Sequence, residues 1–267
     1  MPKLGIIAGN RTFPIHVARA AKGQGYTVVA VGLKEETSPE LEKEVDRMRW
    51  VSFSEIGQVP DWLKQEGVQD LILAGQIKAE RLLEGEGRFD GLVQQLFRML
   101  PDRSGNSAMK LAVRYLESQG FRVLDSGIFL KDWIPAPGVL TRRAPTPEEQ
   151  EDLRFGLPLT RELARLGIGQ TLVVRRKAVV AVEAMEGTDA VIRRGAQVAG
   201  PGCVVVKACE QGHDMRFDIP VVGTDTVAAM KEAGATCLAV EAKRALLFDP
   251  PQVIARADQA GLTIVAL

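Results

Sequence analysis

The chain has 267 residues, 46% of them hydrophobic and 25% charged, which is typical of a globular protein with one large domain or two small ones. Lys plus Arg equals Asp plus Glu, at 34 each. Because nucleic-acid-binding proteins usually carry a basic excess, we expect no nucleic-acid partner. No apolar run approaches the roughly 20 residues that span a bilayer, and the first residues match a strand rather than a signal peptide. We therefore expect a cytoplasmic protein.

The first half of the chain alternates short apolar runs with helical patterns. Strands are predicted at residues 3–8, 26–31, 50–53, 70–74 and 121–124, and helices at 13–22, 55–66, 89–100 and 107–119. This alternation indicates a mostly parallel, doubly wound sheet. We predict an α/β protein with two domains, of which the N-terminal one, residues 1–133, is Rossmann-like with helices flanking its sheet.

A proline-rich stretch, IPAPGVLTRRAPTP at residues 134–147, is predicted to be an interdomain linker. At its end, Thr146 and Pro147 resemble a helix cap and a first helical residue. Further strands are expected at 170–174, 178–182, 204–206, 219–222, 236–240 and 262–265, and helices at 147–166, 189–197, 226–233 and 251–259. Residues 148–267 should thus form a C-terminal α/β domain that carries the acidic motifs.

The three cysteines show no metal-binding pattern. Cys203, Cys209 and Cys237 lack a CxxC spacing and have no conspicuous histidine partners, so neither a zinc site nor a disulfide framework is indicated. We predict buried thiols.

The turn after the first strand, within GIIAGNRTFP, is a candidate ligand-binding loop. Gly9 and Asn10 lie where ligands commonly contact a βαβ unit, because glycine permits close approach and a helix begins there. The turn lacks the GxGxxG spacing, and the residues after the second strand, at 32–34, offer no acidic group for a ribose, which counts against a nicotinamide cofactor. The alternative is a plain strand-to-helix turn.

An acidic turn, VEAMEGTDAVIRR, follows a predicted strand that ends at Glu183. Glu186 and Asp189 are three residues apart and share a face if the chain is helical there, and Thr188 can cap that helix. These residues are candidates for catalysis or substrate binding. The alternative is an acidic helix N-terminus favoured by the helix dipole.

A second acidic segment, HDMRFD, contains Asp214, Arg216 and Asp218 at alternate positions, so an extended strand would place all three on one face. Arginine binds phosphate oxygens bidentately, and aspartate suits an Mg²⁺ ion that retains several waters. The segment therefore predicts a metal and phosphate site. A polar edge strand with a salt bridge is the alternative.

Neighbouring residues add to this prediction. Lys207 supplies a cation, and Gly223-Thr224 precedes a predicted helix, whose N-terminus attracts anions. The adjacent His213 is interpreted as a loop histidine without a catalytic role, since no serine-hydrolase or zinc-hydrolase motif accompanies it.

Three stretches resemble the LpxI family, the UDP-2,3-diacylglucosamine pyrophosphatases of lipid A biosynthesis in Gram-negative bacteria. They are GIIAGNRTFP, GQTLVVRRKAVVAVEAMEGTDAVIRR and VVKACEQGHDMRFDIPVVGTDT, and the resemblance covers essentially the whole chain. It implies hydrolysis of the pyrophosphate to UMP and 2,3-diacylglucosamine 1-phosphate with a divalent cation such as Mg²⁺. It also implies a lipid product held between two domains. We further expect a homo-oligomer and peripheral contact with the inner membrane.

The chain departs from the family pattern at three places. Asn10 stands where members often have a second glycine, and His213 stands where they have Gln. The segment Gly105-Asn106-Ser107 is less acidic than the family pattern, which leaves the loop at 102–107 without an assigned role.

The hypothesis assigns each candidate a role. Asp218, with Asp214 or Asp189, would hold Mg²⁺ and activate a water. Lys207 and Arg216 would stabilise developing charge, and Glu186 or Glu183 would orient or deprotonate the water. Substrate binding is assigned to Gly9, Asn10, Thr188, Gly223 and Thr224. The rival interpretations are a nicotinamide-dependent oxidoreductase and a non-catalytic nucleotide-sugar-binding protein.

Overall fold

The structure is a computed structural model that describes residues 1–77, 90–100, 102, 104–210, 212–217 and 219–267. It divides into two compact units. The first unit comprises Met1–Leu130 and Asp214–Asp218, and the second comprises Lys131–His213 and Ile219–Leu267.

The first unit is built on a five-stranded sheet in which every neighbouring pair is parallel. Its strands are β1 (Lys3–Ala8), β2 (Thr27–Leu33), β3 (Arg47–Val51), β4 (Asp70–Ala74) and β5 (Arg122–Val123). Their order is β3-β2-β1-β4-β5, which confirms the doubly wound parallel sheet. The order reverses between β1 and β4, the place where open α/β sheets bind ligands at the carboxyl ends of their strands.

Four α-helices accompany this sheet among the described residues: α1 (Phe13–Gly23), α2 (Val59–Gln65), α3 (Gly91–Arg98) and α4 (Gly105–Ser118). The predicted helix at 55–66 is instead a 3-10 turn, Phe53–Gln58, followed by α2. Pro60 explains the break, because proline is tolerated in a first helical turn but not in a helix interior. The first residue of the helix predicted at 89–100 lies outside the described residues.

The segment Asp214–Asp218 completes the core of the first unit. Phe217 is only 1% exposed and packs in one apolar cluster with residues from β2, β4 and β5. The backbone N–H of Ser126 donates to Met215 O (3.0 Å), and the Ser126 hydroxyl donates to Arg216 O (2.7 Å). We predicted that this segment belongs to the C-terminal domain, whereas the structure groups it with the N-terminal unit.

The second unit has a six-stranded mixed sheet in the order β6-β13-β11-β9-β7-β8. Strands β9, β11 and β13 run parallel, whereas β6, β7 and β8 pair antiparallel with their neighbours. The strands are β6 (Gly138–Val139), β7 (Thr171–Arg175), β8 (Ala178–Val182), β9 (Val204–Lys207), β11 (Cys237–Val240) and β13 (Thr263–Ala266). Two further strands, β10 (Val221–Val222) and β12 (Leu246–Leu247), form a separate parallel pair.

Four α-helices belong to the second unit in the described part of the chain: α5 (Pro147–Arg165), α6 (Thr188–Ala199), α7 (Thr224–Ala233) and α8 (Pro250–Gln259). Helix α5 begins as predicted, since Thr146 and Glu149 form a capping box. The described helices include none that is both long enough and apolar enough to cross a membrane. All three cysteines are free and buried, as predicted.

The stretch predicted as a linker, residues 134–147, is part of the second unit instead. Val139 pairs with Val265 at the edge of the sheet. Farther along, Arg143 donates to Glu149 (2.8 Å) and to the Thr263 hydroxyl (2.5 Å). Proline-rich composition therefore marks an edge strand here, where missing N–H groups cost no sheet hydrogen bonds.

Candidate functional site

The candidate site of the second unit forms where three strand ends meet. Antiparallel pairing sets Thr171, at the start of β7, directly opposite Lys207, at the end of β9. Glu183 follows β8 immediately, and its N–H donates to Thr171 O (2.9 Å). Sheet register alone therefore brings a hydroxyl, a cation and a carboxylate to one edge.

Hydrogen bonds connect these side chains through the first residue of α6. The Lys207 ammonium donates to the hydroxyls of Thr188 (2.7 Å) and Thr171 (3.3 Å). Thr188 donates in turn to Glu183 Oε1 (2.8 Å), while Glu183 Oε2 accepts from the backbone N–H of Gln170 (3.1 Å). The result is a chain from ammonium through hydroxyl to carboxylate, which we call the Lys207–Thr188–Glu183 chain.

Both charged ends of this chain are buried, with 5% of Lys207 and 8% of Glu183 exposed. Burial alone would raise the pKa of Glu183, but the charge of Lys207 and the hydrogen bonds that the carboxylate accepts outweigh it and lower the pKa below its ordinary value. Glu183 is thus held as a carboxylate. A buried ionised pair of this kind needs its partners, because an isolated buried charge is costly.

Two helix N-termini lie at this cluster. Helix α6 begins at Thr188 after Gly187, whose φ of 82° favours glycine. The Thr226 hydroxyl, in the first turn of α7, donates to Asp189 Oδ1 (3.4 Å), so the first turns of α6 and α7 are adjacent. Gly223 and Thr224, where α7 begins, therefore lie near the same cluster. Helix N-termini and a lysine together favour an anion.

Glu186 lies beside this cluster but is paired elsewhere. It forms an ion pair with Arg194 and accepts a hydrogen bond from the N–H of Ala184 (3.0 Å). Burial acts to raise the pKa of Glu186, while the hydrogen bond from Arg194 is the largest of the effects that bring it below its ordinary value. Any function as a base would require this pair to open.

Asp214 and Arg216 lie in the first unit and bind each other. Arg216 Nε donates to Asp214 Oδ1 (2.8 Å) and Nη2 donates to Oδ2 (2.6 Å), while Nη1 pairs with Glu117 (2.5 Å). Residues 214–217 form a turn, so the prediction of an extended strand with one charged face was wrong. The turn closes the guanidinium back onto Asp214.

The predicted magnesium ligands do not form a metal centre within the described residues. Asp218 lies outside them, and both oxygens of Asp214 accept from Arg216. No group of three or more His, Cys, Asp or Glu side chains in the described ranges could hold a metal ion. The described side chains by themselves therefore assemble no ion site.

The Gly9 turn lies at the carboxyl end of β1, where the strand order of the first sheet reverses. The N–H groups of Gly9 and Asn10 donate to Ala74 O and Gln76 O, both at 2.7 Å. A Cβ on Gly9 would lie 2.4 Å from Gln76 O, and Gly75, with φ of 89°, packs against the same turn. The turns after β1 and β4 pack so closely that Gly9 and Gly75 have no room for a Cβ, whether or not a ligand binds there.

Asn10 has one unsatisfied acceptor. Its Nδ2 donates to Glu36 (3.1 Å), whereas its buried Oδ1 has no hydrogen-bond partner among the described residues. Buried acceptors are normally paired. The Oδ1 atom therefore suits a donor that lies outside the described residues.

Thr171 and Asp125 were not among the residues that the sequence pattern indicated. Thr171 looks like an ordinary strand residue, and only the antiparallel β7–β9 pairing reveals its position. Asp125 follows β5, and burial, together with the charge of Asp214, raises its pKa. Its place at the carboxyl end of a predicted strand was the signal that could have identified it.

The molecule is thus a two-unit α/β protein with a doubly wound N-terminal sheet and a buried lysine beside two helix N-termini. The model of the LpxI N-terminal domain matches residues 3–133, and that of the LpxI C-terminal domain matches residues 136–265. The chain belongs to the LpxI family. A relative from Caulobacter vibrioides, named UDP-2,3-diacylglucosamine pyrophosphatase LpxI, is 29% identical over 276 residues, covering 100% of this chain and 98% of the relative.

Two of the solved structures that the chain matches show only weak likeness to it. N5-carboxyaminoimidazole ribonucleotide synthetase from Thermotoga maritima is 16% identical with a TM-score of 0.24, over 67% of this chain and 40% of that one. The biotin carboxylase domain of Hydrogenobacter thermophilus 2-oxoglutarate carboxylase is 12% identical with a TM-score of 0.30, over 75% and 42%. The chain thus spans less than half of each, and scores this low support no inference.

Proposed function

We propose that the protein hydrolyses the pyrophosphate bond of UDP-2,3-diacylglucosamine, releasing UMP and 2,3-diacylglucosamine 1-phosphate. Membership of the LpxI family and the name of the Caulobacter relative support this reaction. The observation that carries it is the Lys207–Thr188–Glu183 chain, a buried cation at two helix N-termini. A pyrophosphate is the anionic group for which such an arrangement is suited.

In this proposal Lys207 stabilises the negative charge that develops on the pyrophosphate. A preorganised donor of this kind contributes roughly 3 kcal/mol to the transition state. Glu183 accepts a hydrogen bond from Thr188 and orients its hydroxyl toward Lys207. It is not assigned the role of base, because its pKa is lowered and a base works best with a pKa near the operating pH. Asp189 and Glu186 are the nearby carboxylates proposed to orient water, and Gly223 and Thr224 contribute the second helix N-terminus.

The nucleotide is proposed to bind the first unit at the carboxyl end of β1. Strand-order reversal makes this the expected ligand position. The Oδ1 of Asn10, which has no hydrogen-bond partner in the described part of the chain, would accept a hydrogen bond from the uracil or the ribose. Gly9 is proposed as a substrate-binding residue of the same loop, whose backbone packs closely against Gln76.

Asp218 and Arg216 are proposed as catalytic candidates from their residue types and from the family resemblance. Arg216 would have to release Asp214 or Glu117 before it could bind phosphate. Magnesium dependence has the same basis, with Asp218, Asp214 and Asp189 as the candidate ligands. We also propose a cytoplasmic homo-oligomer that contacts the inner membrane peripherally, as a lipid-linked nucleotide sugar would require.

The test is the release of UMP from UDP-2,3-diacylglucosamine, measured by chromatography with Mg²⁺ and with EDTA. Wild type should release UMP, EDTA should abolish the release, and Lys207→Met should lower kcat by about 10²- to 10³-fold. Lys231→Met, at an exposed lysine of α7, is the matched control and should match wild type. Asp218→Ala should also be inactive.

Each failure has a distinct meaning. Substrate binding without UMP release would favour the nucleotide-sugar-binding alternative. Tight NADH binding, measured by the change in NADH fluorescence, would favour the oxidoreductase. Full activity of Lys207→Met would remove the Lys207–Thr188–Glu183 chain from the mechanism. Full activity in EDTA would show that the reaction needs no divalent metal ion.

A further inference from the structure

A buried serine of the first unit has no role in the chemistry proposed above. Ser126 lies three residues after β5, and only 1% of it is exposed. Buried hydroxyls are normally hydrogen-bonded, because an unpaired one is costly. The hydrogen bonds of Ser126 go to main-chain carbonyl oxygens of two segments that are far from it in sequence. Its place in the fold therefore depends on what these two segments do.

The first acceptor lies at the carboxyl end of β4. Leu124 N–H donates to Leu71 O (2.8 Å), which continues the pairing of β4 with β5. Because every second residue of a strand turns its carbonyl to the same neighbour, Leu73 faces this side as well. Strand β5 has already ended there, and the Ser126 hydroxyl donates to Leu73 O (2.9 Å). The serine thus takes the place of a strand N–H at the end of the sheet.

The other acceptors lie in the turn at residues 214–217. Ser126 N–H donates to Met215 O (3.0 Å), and the hydroxyl oxygen lies 2.7 Å from Arg216 O. A serine hydroxyl has one proton to donate, so Leu73 O and Arg216 O share it in a three-centre hydrogen bond. One buried hydroxyl therefore joins the carboxyl end of β4 to this turn.

The hydrogen bonds inside the turn are local. Arg216 N–H donates to Asp214 Oδ1 (3.1 Å), and Phe217 N–H donates to Asp214 O (3.4 Å). Local bonds fix the shape of a turn, whereas its place against a sheet depends on contacts with other segments. The bonds from Ser126 and the buried ring of Phe217 supply such contacts.

The position of this turn matters for the proposed reaction. Arg216 belongs to the turn, and Asp218 follows two residues later in the sequence. The ion pair of Arg216 with Glu117 also reaches the turn, but it would have to open before the guanidinium could bind phosphate. The bonds from Ser126 involve only main-chain oxygens of the turn, so they can persist while the side chains act.

We propose that Ser126 is a positioning residue, whose hydroxyl holds the turn that carries Arg216 and leads to Asp218 against the carboxyl end of β4. The inference rests on the proposed function for the roles of these two side chains. A displacement of about 1 Å at a catalytic group can cost about 10²-fold in rate. Loss of the hydroxyl should therefore slow the chemical step more than it weakens substrate binding.

The experiment compares wild type, Ser126→Ala and Ser118→Ala. The first variant removes the shared hydroxyl and keeps the backbone bond to Met215. The second is the matched control, because it removes an exposed hydroxyl of α4 that donates to Tyr115 O (2.6 Å). In the UMP-release assay, Ser126→Ala should have a kcat about 10- to 100-fold lower and a KM within about twofold of wild type. Ser118→Ala should match wild type in both.

Amide hydrogen exchange tests the anchoring without turnover. In ligand-free Ser126→Ala, residues 214–217 should exchange at least tenfold faster, while α1 and α2 should exchange as in wild type. A general loss of stability would instead speed exchange throughout the first unit. Thermal unfolding checks that the variant is folded. If it is not, Ser126→Cys replaces it, because its thiol is similar in size but a weak donor.

The outcomes separate this inference from the proposed function. A folded Ser126→Ala with the kcat of wild type would overturn the positioning role, and so would a raised KM at unchanged kcat. Faster exchange throughout the first unit would overturn it too, since the loss of activity would then reflect general destabilisation. If wild type releases no UMP, the proposed function fails and exchange alone decides the role of Ser126. Faster exchange confined to residues 214–217 then supports the anchoring, and unchanged exchange there overturns it.

Discussion

Lys207 and Glu183 of the second unit depend on each other, because an isolated buried charge is costly. Both are less than 9% exposed, and the Thr188 hydroxyl joins them. Sequence analysis identified Lys207, Thr188 and Glu183 as candidates from residue type and spacing. Their connection could not be foreseen, because it depends on the register between β7 and β9.

Lys207→Met should destabilise the protein as well as inactivate it. The substitution keeps the bulk of the side chain but leaves the Glu183 carboxylate buried without a cation, which typically costs about 3–5 kcal/mol. Urea denaturation measures the loss. Adding Glu183→Gln to the same chain should recover part of it, because the unpaired charge is then gone. A loss below about 0.5 kcal/mol in the single variant would contradict the coupling.

The pH dependence of stability should also report Glu183. Its folded-state pKa lies below the ordinary value of 4.5. Above that pH the carboxylate is ionised in both states and its stabilisation is complete, whereas the stabilisation is lost as pH falls through the folded-state pKa. The difference in free energy of unfolding between wild type and Glu183→Gln should be constant near neutral pH and shrink below pH 4.5. A difference that grows on acidification would refute this assignment.

At the scale of elements, local signals predicted well where a segment determines its own structure. The capping box of Thr146 and Glu149 and the alternation that gave β1 to β5 are examples. The strand predicted for HDMRFD was wrong, because its alternation of charged and apolar residues is also typical of a strand. In the fold, Phe217 is drawn into an apolar core and Arg216 closes onto Asp214, so tertiary packing overrides the pattern.

Gly9→Ala tests whether the first glycine turn is a packing device. The added Cβ would meet the Gln76 backbone at 2.4 Å, and such overpacking costs about 1–3 kcal/mol. We expect this loss in the ligand-free protein, measured by urea denaturation. Gly23→Ala is the control, because nothing lies within 4 Å of its Cβ position in α1; it should be neutral or slightly stabilising. If Gly9→Ala were as stable as wild type, packing would not explain the glycine, and ligand contact would be its remaining role.

For the whole molecule, the sequence pattern predicted two α/β units but not which residues each unit comprises. A boundary inferred from composition presumes that each unit is one continuous segment, and Asp214–Asp218 breaks that presumption. The apolar contacts of Phe217, made with residues far away in sequence, decide the matter. Pattern alone carries no such long-range information.

Phe217→Ala should therefore weaken the N-terminal unit although the residue follows β9 in the chain. Removing a buried phenylalanine typically costs about 3–5 kcal/mol. Amide hydrogen exchange should show lost protection in β1 to β5. Met230→Ala, in the core of the second unit, is the control and should affect β9 and β11 instead. Lost protection confined to the second unit in the Phe217 variant would show that the segment docks elsewhere.

Because residues 214–218 belong to the first unit, they also affect when that unit can fold during synthesis. N-terminal domains generally fold first during synthesis. Here the first unit cannot close its core until Phe217 has left the ribosome, after strands β7, β8 and β9 have already emerged. Completion of the first unit must consequently await a segment that lies within the sequence of the second, and a gene fragment that ends at residue 130 encodes an N-terminal unit that lacks one of its own core side chains.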